Sequence, residues 1–152
     1  MTASATASPP ILVTGAAGFI GAAVARRLLD DGERVIGVDS LDAYYDVRLK
    51  EARLETLRHP GFRFERCDLS NRADCERVFA LAPFRRVVHL AAQAGVRYSL
   101  VNPRAYLDAN LAAFLNVLEG CRALEVAHLV FASSSSVYGG NRKVPFATTD
   151  PV

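Results

Sequence analysis

Gly15, Gly18 and Gly21 fall at a G-x-x-G-x-x-G spacing, with the apolar run Ile11-Leu12-Val13 in front and the amphipathic run Ala22 to Asp30 behind. Strand, glycine turn and helix in that order form a cradle for a pyrophosphate. Gly15 lets the chain turn sharply off the strand. Gly18, having no side chain, lets a phosphate approach the backbone, and Gly21 lets the helix pack closely on the strand. The N–H groups at the helix start, at Phe19 and Ile20, face the phosphates along the helix dipole. An ordinary glycine-rich turn has the same spacing, so residues downstream carry the decision.

Asp39 ends the run Arg34-Val35-Ile36-Gly37-Val38-Asp39, eighteen residues after Gly21. A carboxylate there accepts from both hydroxyls of an adenosine ribose and repels a 2′-phosphate, which favours NAD over NADP. Ser40 and Leu41 follow, so no arginine is immediately at hand to receive that phosphate. Asp68 and Leu69 end the next strand-like run; the carboxylate can accept from an adenine amine and the leucine can cover the ring. Each aspartate also fits a plain turn. Leu90, Ala91 and Ala92 close a fourth strand with side chains small enough for a dinucleotide to lie on the backbone, though tight packing alone would use the same residues. Ser133, Ser134, Ser135 and Ser136 follow a fifth strand. Hydroxyls at a strand end can hold a sugar hydroxyl and share its proton during oxidation. His59, His89 and His128 take structural readings. No His/Cys/Asp/Glu cluster has metal-site spacing, and neither a G-x-S-x-G elbow nor a Walker lysine is present.

The elements that must position these residues alternate. Strands are expected at Ile11 to Thr14, Arg34 to Asp39, Phe62 to Cys67, Arg86 to Leu90 and Ala127 to Ala132. Helices are expected at about Gly18 to Asp31, Val47 to Arg58, Asn71 to Leu81 and Asn102 to Ala123. Asn102-Pro103 supplies an N-cap and a first-turn proline. In the last helix Leu107, Leu111, Phe114, Leu115 and Leu118 form one apolar stripe, with Ala109, Ala113 and Val117 opposite. A βαβαβ series with right-handed crossovers gives an α/β, Rossmann-type doubly wound parallel sheet. Its expected order is 3-2-1-4-5, with a ligand crevice where the order reverses.

The chain has 152 residues, 51% hydrophobic and 22% charged, with net charge +2. That suits one globular domain and argues against a nucleic-acid or membrane partner. Three cysteines, Cys67, Cys75 and Cys121, without a C-x-x-C, suggest neither a disulfide framework nor zinc and fit a reducing, cytoplasmic setting. Residues 1–10 have neither a basic n-region nor an apolar h-region, and are expected to be a disordered lead-in to a domain spanning 11–152.

With these residues in place, the chain resembles the extended short-chain dehydrogenases/reductases. The marks are the three glycines, Asp39, Asp68-Leu69, Leu90-Ala91-Ala92 and the Ser-Val-Tyr-Gly loop. More narrowly it resembles the NAD-dependent nucleotide-sugar epimerases and dehydratases, and among them the UDP-glucuronate 4-epimerases. The stretches Val38 to Asp46, Leu49 to Leu54, Ala91 to Ser99, and Ser133 to Gly139 with Asn141-Arg142-Lys143 carry that likeness. The resemblance implies bound NAD and a UDP-sugar substrate, with epimerisation through a 4-keto sugar. It assigns Ser134 to the reacting O4, Ser135 and Ser136 to the sugar, and Ser133 and Asn110 to the cofactor's surroundings. Related 4,6-dehydratases carry an acidic pair where this chain has Ser135-Ser136, so water elimination is disfavoured. Arg97 is a candidate for the sugar carboxylate, or a solvated arginine.

The resemblance also requires a Tyr-x-x-x-Lys that is absent: Tyr138 is followed four residues on by Arg142, and Tyr44 by Arg48. The chain is therefore expected to be the N-terminal part of an epimerase, ending before the catalytic helix and the substrate domain, and inactive alone. In the family the last helix region forms the contact of a homodimer, which implies a bare apolar face here. A stand-alone dinucleotide-binding or regulatory module remains the alternative, as does a part of another sugar-nucleotide dehydratase or reductase.

Overall fold

The computed structural model describes residues 8–152. The expected lead-in lies mostly at residues 1–7, outside the described residues; Pro10 is already buried.

Five parallel strands form one sheet: β1 (Ile11–Thr14), β2 (Val35–Asp39), β3 (Phe62–Arg66), β4 (Arg86–His89) and β5 (His128–Phe131). Their spatial order is β3-β2-β1-β4-β5, so the sequence expectation for the topology holds. β1 lies between β2 and β4, with Thr14 opposite Val38 on one side and His89 on the other. All four residues of β1 and all five of β2 are buried, as central parallel strands covered on both faces require.

Helices cover both faces. On one, α1 (Phe19–Asp30) and α2 (Val47–Thr56) close a core of Ile11, Val13, Ala22, Ala25, Leu29, Val35 and Leu57. On the other, α3 (Arg72–Phe79) and α5 (Ala113–Ala123) pack over Leu12, Ile36, Val38 and Val87, with the Phe79 and Phe84 rings edge to face at 6.1 Å. Asn71 caps α3 by accepting from the Asp74 N–H. Asn102 caps α4 (Pro103–Tyr106) in the same way from the Ala105 N–H, with Pro103 in the first turn.

The last helical stretch departs from expectation in one respect. It is not uniformly α: between α4 and α5 a π-helical segment, Leu107–Ala112, widens the coil. One apolar face is bare, as expected, and it is the leucine stripe. Ala113, Val117 and Cys121 face the core, while Leu107, Leu111, Leu115 and Leu118 are 50%, 63%, 59% and 40% exposed. Small residues let the helix axis approach α3 and the sheet; the leucines are left on the outside. Beside them β5 is an edge strand with Val130 and Phe131 exposed.

Candidate functional site

The carboxyl ends of β1 to β4 open into a cavity of about 960 Å³, at the upper end of the range for small-molecule and cofactor sites. Gly15, Gly18, Asp39, Asp68, Leu69, Leu90, Ala91 and Ala92 line it, together with Ser40 to Tyr45, Lys50, and Asn102, Arg104 and Asp108 from the α4 side. The crevice sits where the strand order reverses, as the topology demands.

Each glycine of the motif has a steric reason. Gly15 has φ +68°, and a Cβ there would lie 2.8 Å from the Ala91 nitrogen and 2.9 Å from the Leu90 carbonyl. A Cβ on Gly21 would collide with the Gly15 carbonyl. Gly18 is the extended N-cap of α1 and has no capping side chain, so the first N–H groups of the helix point outward. The turn hangs from the end of β2: the Ala16 N–H donates to the Val38 carbonyl at 3.0 Å, and the Ala17 N–H to Asp39 Oδ2 at 3.3 Å.

The ends of β1 and β4 are joined by a hydroxyl. Thr14 Oγ1 accepts from the Leu90 and Ala91 N–H groups, both at 3.0 Å. Its own proton therefore goes to His89 Nδ1, 2.8 Å away, which leaves the imidazole proton on Nε2. His89 is buried and stacked on Phe114 at 5.3 Å, and burial pushes its pKa down from 6.5 to about 4. The imidazole is neutral and structural. It lies outside the cavity lining, consistent with the reading of the sequence.

Asp39 is buried, yet its carboxylate is more occupied than the sequence suggested. Oδ1 accepts from the Leu41 N–H at 2.8 Å and from Lys50 Nζ at 3.2 Å, so one lone pair remains, on Oδ2. The Lys50 and Asp39 side chains are 12% and 7% exposed. Lys50 was missed in the sequence because it lies in α2, a helix with no apolar face to announce its orientation. Its spacing of eleven residues from Asp39 was the only signal available.

At the end of β3, Asp68 Oδ1 accepts from the Ser70 N–H and hydroxyl, at 3.0 and 2.7 Å. Leu69 is 5% exposed and belongs to the core beneath the cavity. Asn116, also missed in the sequence, reaches from α5 to donate to the Leu69 and Ser70 carbonyls at 2.9 and 3.2 Å. Asn110 lies in the π segment and grips the backbone of Gln93 in both directions, accepting from its N–H at 2.8 Å and donating to its carbonyl at 3.1 Å. The local widening of the coil thus coincides with a residue that fixes the loop after β4.

Other expected site residues lie apart from this cavity. Phe19 and Ile20 are absent from its lining and are 80% and 60% exposed, but their backbone N–H groups stand at the uncapped start of α1. Arg97 is exposed, in a 3-10 turn, Val96–Leu100. Ser133 to Ser136 are exposed beyond β5 and do not line the cavity; Ser134 caps a 3-10 turn, Ser135–Tyr138, by accepting from the Ser136 N–H at 3.2 Å. Tyr138 stacks on Phe146 at 4.7 Å, and Arg48 pairs with Asp46, not with Tyr44. The three cysteines are free, buried thiols, with Cys75 pushed up to about 12 by burial. No group of three or more His, Cys, Asp or Glu among the described residues is arranged to hold a metal ion.

A doubly wound parallel sheet with a glycine turn and an acid at the β2 end is the architecture of the Rossmann-type dinucleotide-binding folds. The model of the NAD dependent epimerase/dehydratase family matches residues 11–152, and the chain belongs to that family. It is 57% identical over 141 residues to an uncharacterized 37.6 kDa protein of Escherichia coli O111:H-, covering 93% of this chain and 42% of that protein. It is 52% identical over 140 residues to a probable UDP-glucuronate 4-epimerase of Rhizobium meliloti (strain 1021), covering 91% of this chain and 41% of that one. Among solved structures, a complex of the Thermus thermophilus UDP-glucose 4-epimerase with NAD superposes with a TM-score of 0.75 at 35% identity, covering 93% of this chain and 43% of that one. The chain thus spans about two fifths of the length of the relatives it matches.

Proposed function

We propose that this chain is the NAD-binding part of a nucleotide-sugar 4-epimerase that interconverts UDP-glucuronate and UDP-galacturonate. The observation that carries the reading is the cavity itself. It unites the Gly15-Gly18 cradle, the Asp39–Lys50 pair and Asp68 at the switch point of the sheet. The cradle suits a pyrophosphate because glycine at 15 and 18 leaves it without side chains and no side chain caps the first N–H groups of α1. Asp39 Oδ2, with Lys50 Nζ beside the same carboxylate, would hold the ribose hydroxyls, and Asp68 would accept from the adenine amine.

NAD supplies a hydride acceptor when bound. By the family resemblance Ser134 would meet the sugar O4, Ser135 and Ser136 would flank the sugar, and Ser133 would stand near the cofactor, all from the exposed segment beyond β5. Arg97 is the candidate for the carboxylate. No tyrosine among the 152 residues is followed four positions on by lysine, so the chain alone binds without turning over. In the complete homodimeric enzyme the exposed leucine face of the last helix is covered by helices of the rest of the protein and its partner subunit. A cytoplasmic setting is consistent with the free thiols, and no described helix is long and apolar enough to cross a membrane. Calorimetric titration with NAD tests the reading. Saturable binding that Asp39→Ala weakens is expected; a folded chain that binds no NAD refutes it.

A further inference from the structure

Four tyrosines form a cluster, two of them, Tyr44 and Tyr45, in the lining of the cavity, and the cofactor reading gives them no task. Tyr44 and Tyr45 lie in the segment between β2 and α2; Tyr98 and Tyr106 follow β4. The Tyr44 ring centroid is 4.6 Å from those of both Tyr45 and Tyr98, and Tyr98 is 6.4 Å from Tyr106. The Tyr44 hydroxyl rests against Gly95, in the space a Cβ would fill. Gly95 itself has φ +88°, which favours glycine there.

The sheet order gives this contact its meaning. β2 and β4 are the two neighbours of β1. Any bridge between the segments that leave their carboxyl ends must pass over the end of β1, where the Gly15-Gly18 turn lies. Tyr44, Tyr45, Gln93 and Ala94 line the same cavity as Gly15 and Gly18. Resting on the NAD-binding reading, we propose that the Tyr44–Gly95–Tyr98 contact is a strap across the pyrophosphate trough, and that Tyr44 is a positioning residue that must swing aside for the dinucleotide to enter or leave.

The two posts of the strap differ in firmness. The β4 side is fixed from outside its own loop. The Tyr106 hydroxyl donates to the Gly95 and Ala94 carbonyls at 2.5 and 3.1 Å, and Asn110 holds Gln93. The β2 side is held mainly by short-range turns: the Asp42 N–H donates to Ser40 Oγ and the Tyr44 N–H to Asp42 Oδ1, with one longer tie from Arg66 Nε to the Ser40 carbonyl. Tyr44 and Tyr45 are 37% and 53% exposed. The β2 segment is therefore the part that opens, pivoting next to Asp39.

Stopped-flow binding of NAD to the 152-residue chain separates this role from its alternatives. Tyr44→Ala removes the crossbar, and both association and release are expected to quicken by about tenfold with little change in affinity. Tyr44→Phe keeps the ring and is expected to match the parent. Gly95→Ala drives a methyl into the Tyr44 hydroxyl and is expected to quicken both rates with Tyr44 still present. Far-UV circular dichroism and melting temperature are read alongside to show that each variant is folded. Unchanged rates in a folded Tyr44→Ala chain overturn the strap and leave NAD binding standing. A slower release or a loss confined to affinity also overturns it, because that is the behaviour of a simple contact or scaffold residue. A parent chain that binds no NAD overturns the cofactor reading and the strap together.

Discussion

His89 ties stability to pH in a calculable way. Its imidazole is buried, neutral and bonded through Nδ1 to the Thr14 hydroxyl, with a pKa lowered from 6.5 to about 4. The folded value lies below the unfolded one, so between them the unfolded chain binds more protons. Stability is then fully present above about pH 6.5 and is lost as pH falls toward 4. With those two values the loss between pH 7.5 and pH 5 comes to about 2 kcal/mol. Urea denaturation should register it as a midpoint lower by about 1 M at pH 5. His89→Asn places an amide oxygen where Nδ1 accepts the Thr14 proton and removes the titration. The variant is less stable at pH 7.5, having lost the stack on Phe114, but its midpoint should hardly move between the two pH values. Asp46, Glu119 and Asp150 have lowered pKa values through their partners Arg48, Arg122 and Lys143; they titrate below this window and are the same in both proteins. Equal pH sensitivity in parent and variant would show that His89 is not buried neutral, and the account of the β1–β4 junction would fail.

Other perturbations test other parts of the structure. Lys50→Ala should weaken NAD about tenfold by removing a charge-assisted donor, and Asp39→Asn should raise NADP affinity relative to NAD because Lys50 then faces a 2′-phosphate without a competing carboxylate; calorimetric titration with both nucleotides measures each. Gly21→Ala should cost about 3 kcal/mol or more by forcing a methyl onto the Gly15 carbonyl. Gly32→Ala, at φ +81° with open space around it, should cost only about 1 kcal/mol; chemical denaturation compares the two. Leu111→Glu with Leu115→Glu, on the exposed face, should suppress self-association in light scattering and leave the melting temperature within about 2 °C, as for a surface change.

The sheet order was legible because alternating strand and helix patterns leave few parallel topologies. Gly15, Asp39 and Asp68 were legible because each ends a strand, and strand ends converge on one edge of the sheet. Lys50 and Asn116 were not. Each projects from a helix whose rotation about its axis depends on tertiary packing, and sequence periodicity fixes that rotation only when one face is clearly apolar. The last helix shows the same limit in reverse. Its leucines form the stronger apolar stripe, yet Ala113, Val117 and Cys121 face the core because the space against α3 admits only small side chains. The serine run was legible as a strand-end loop, but its distance from the cavity depends on where β5 sits at the sheet edge.

The central claim is that the β1 turn and its surroundings form an NAD site. Its most direct test is a calorimetric titration of NAD into the purified chain, repeated with Gly18→Val, whose side chain would fill the pyrophosphate approach. The account predicts a saturable one-site isotherm for the parent and its loss in a variant that still melts cooperatively. A cooperatively folded parent that gives no isotherm, or a Gly18→Val chain that binds NAD as well as the parent, would contradict it.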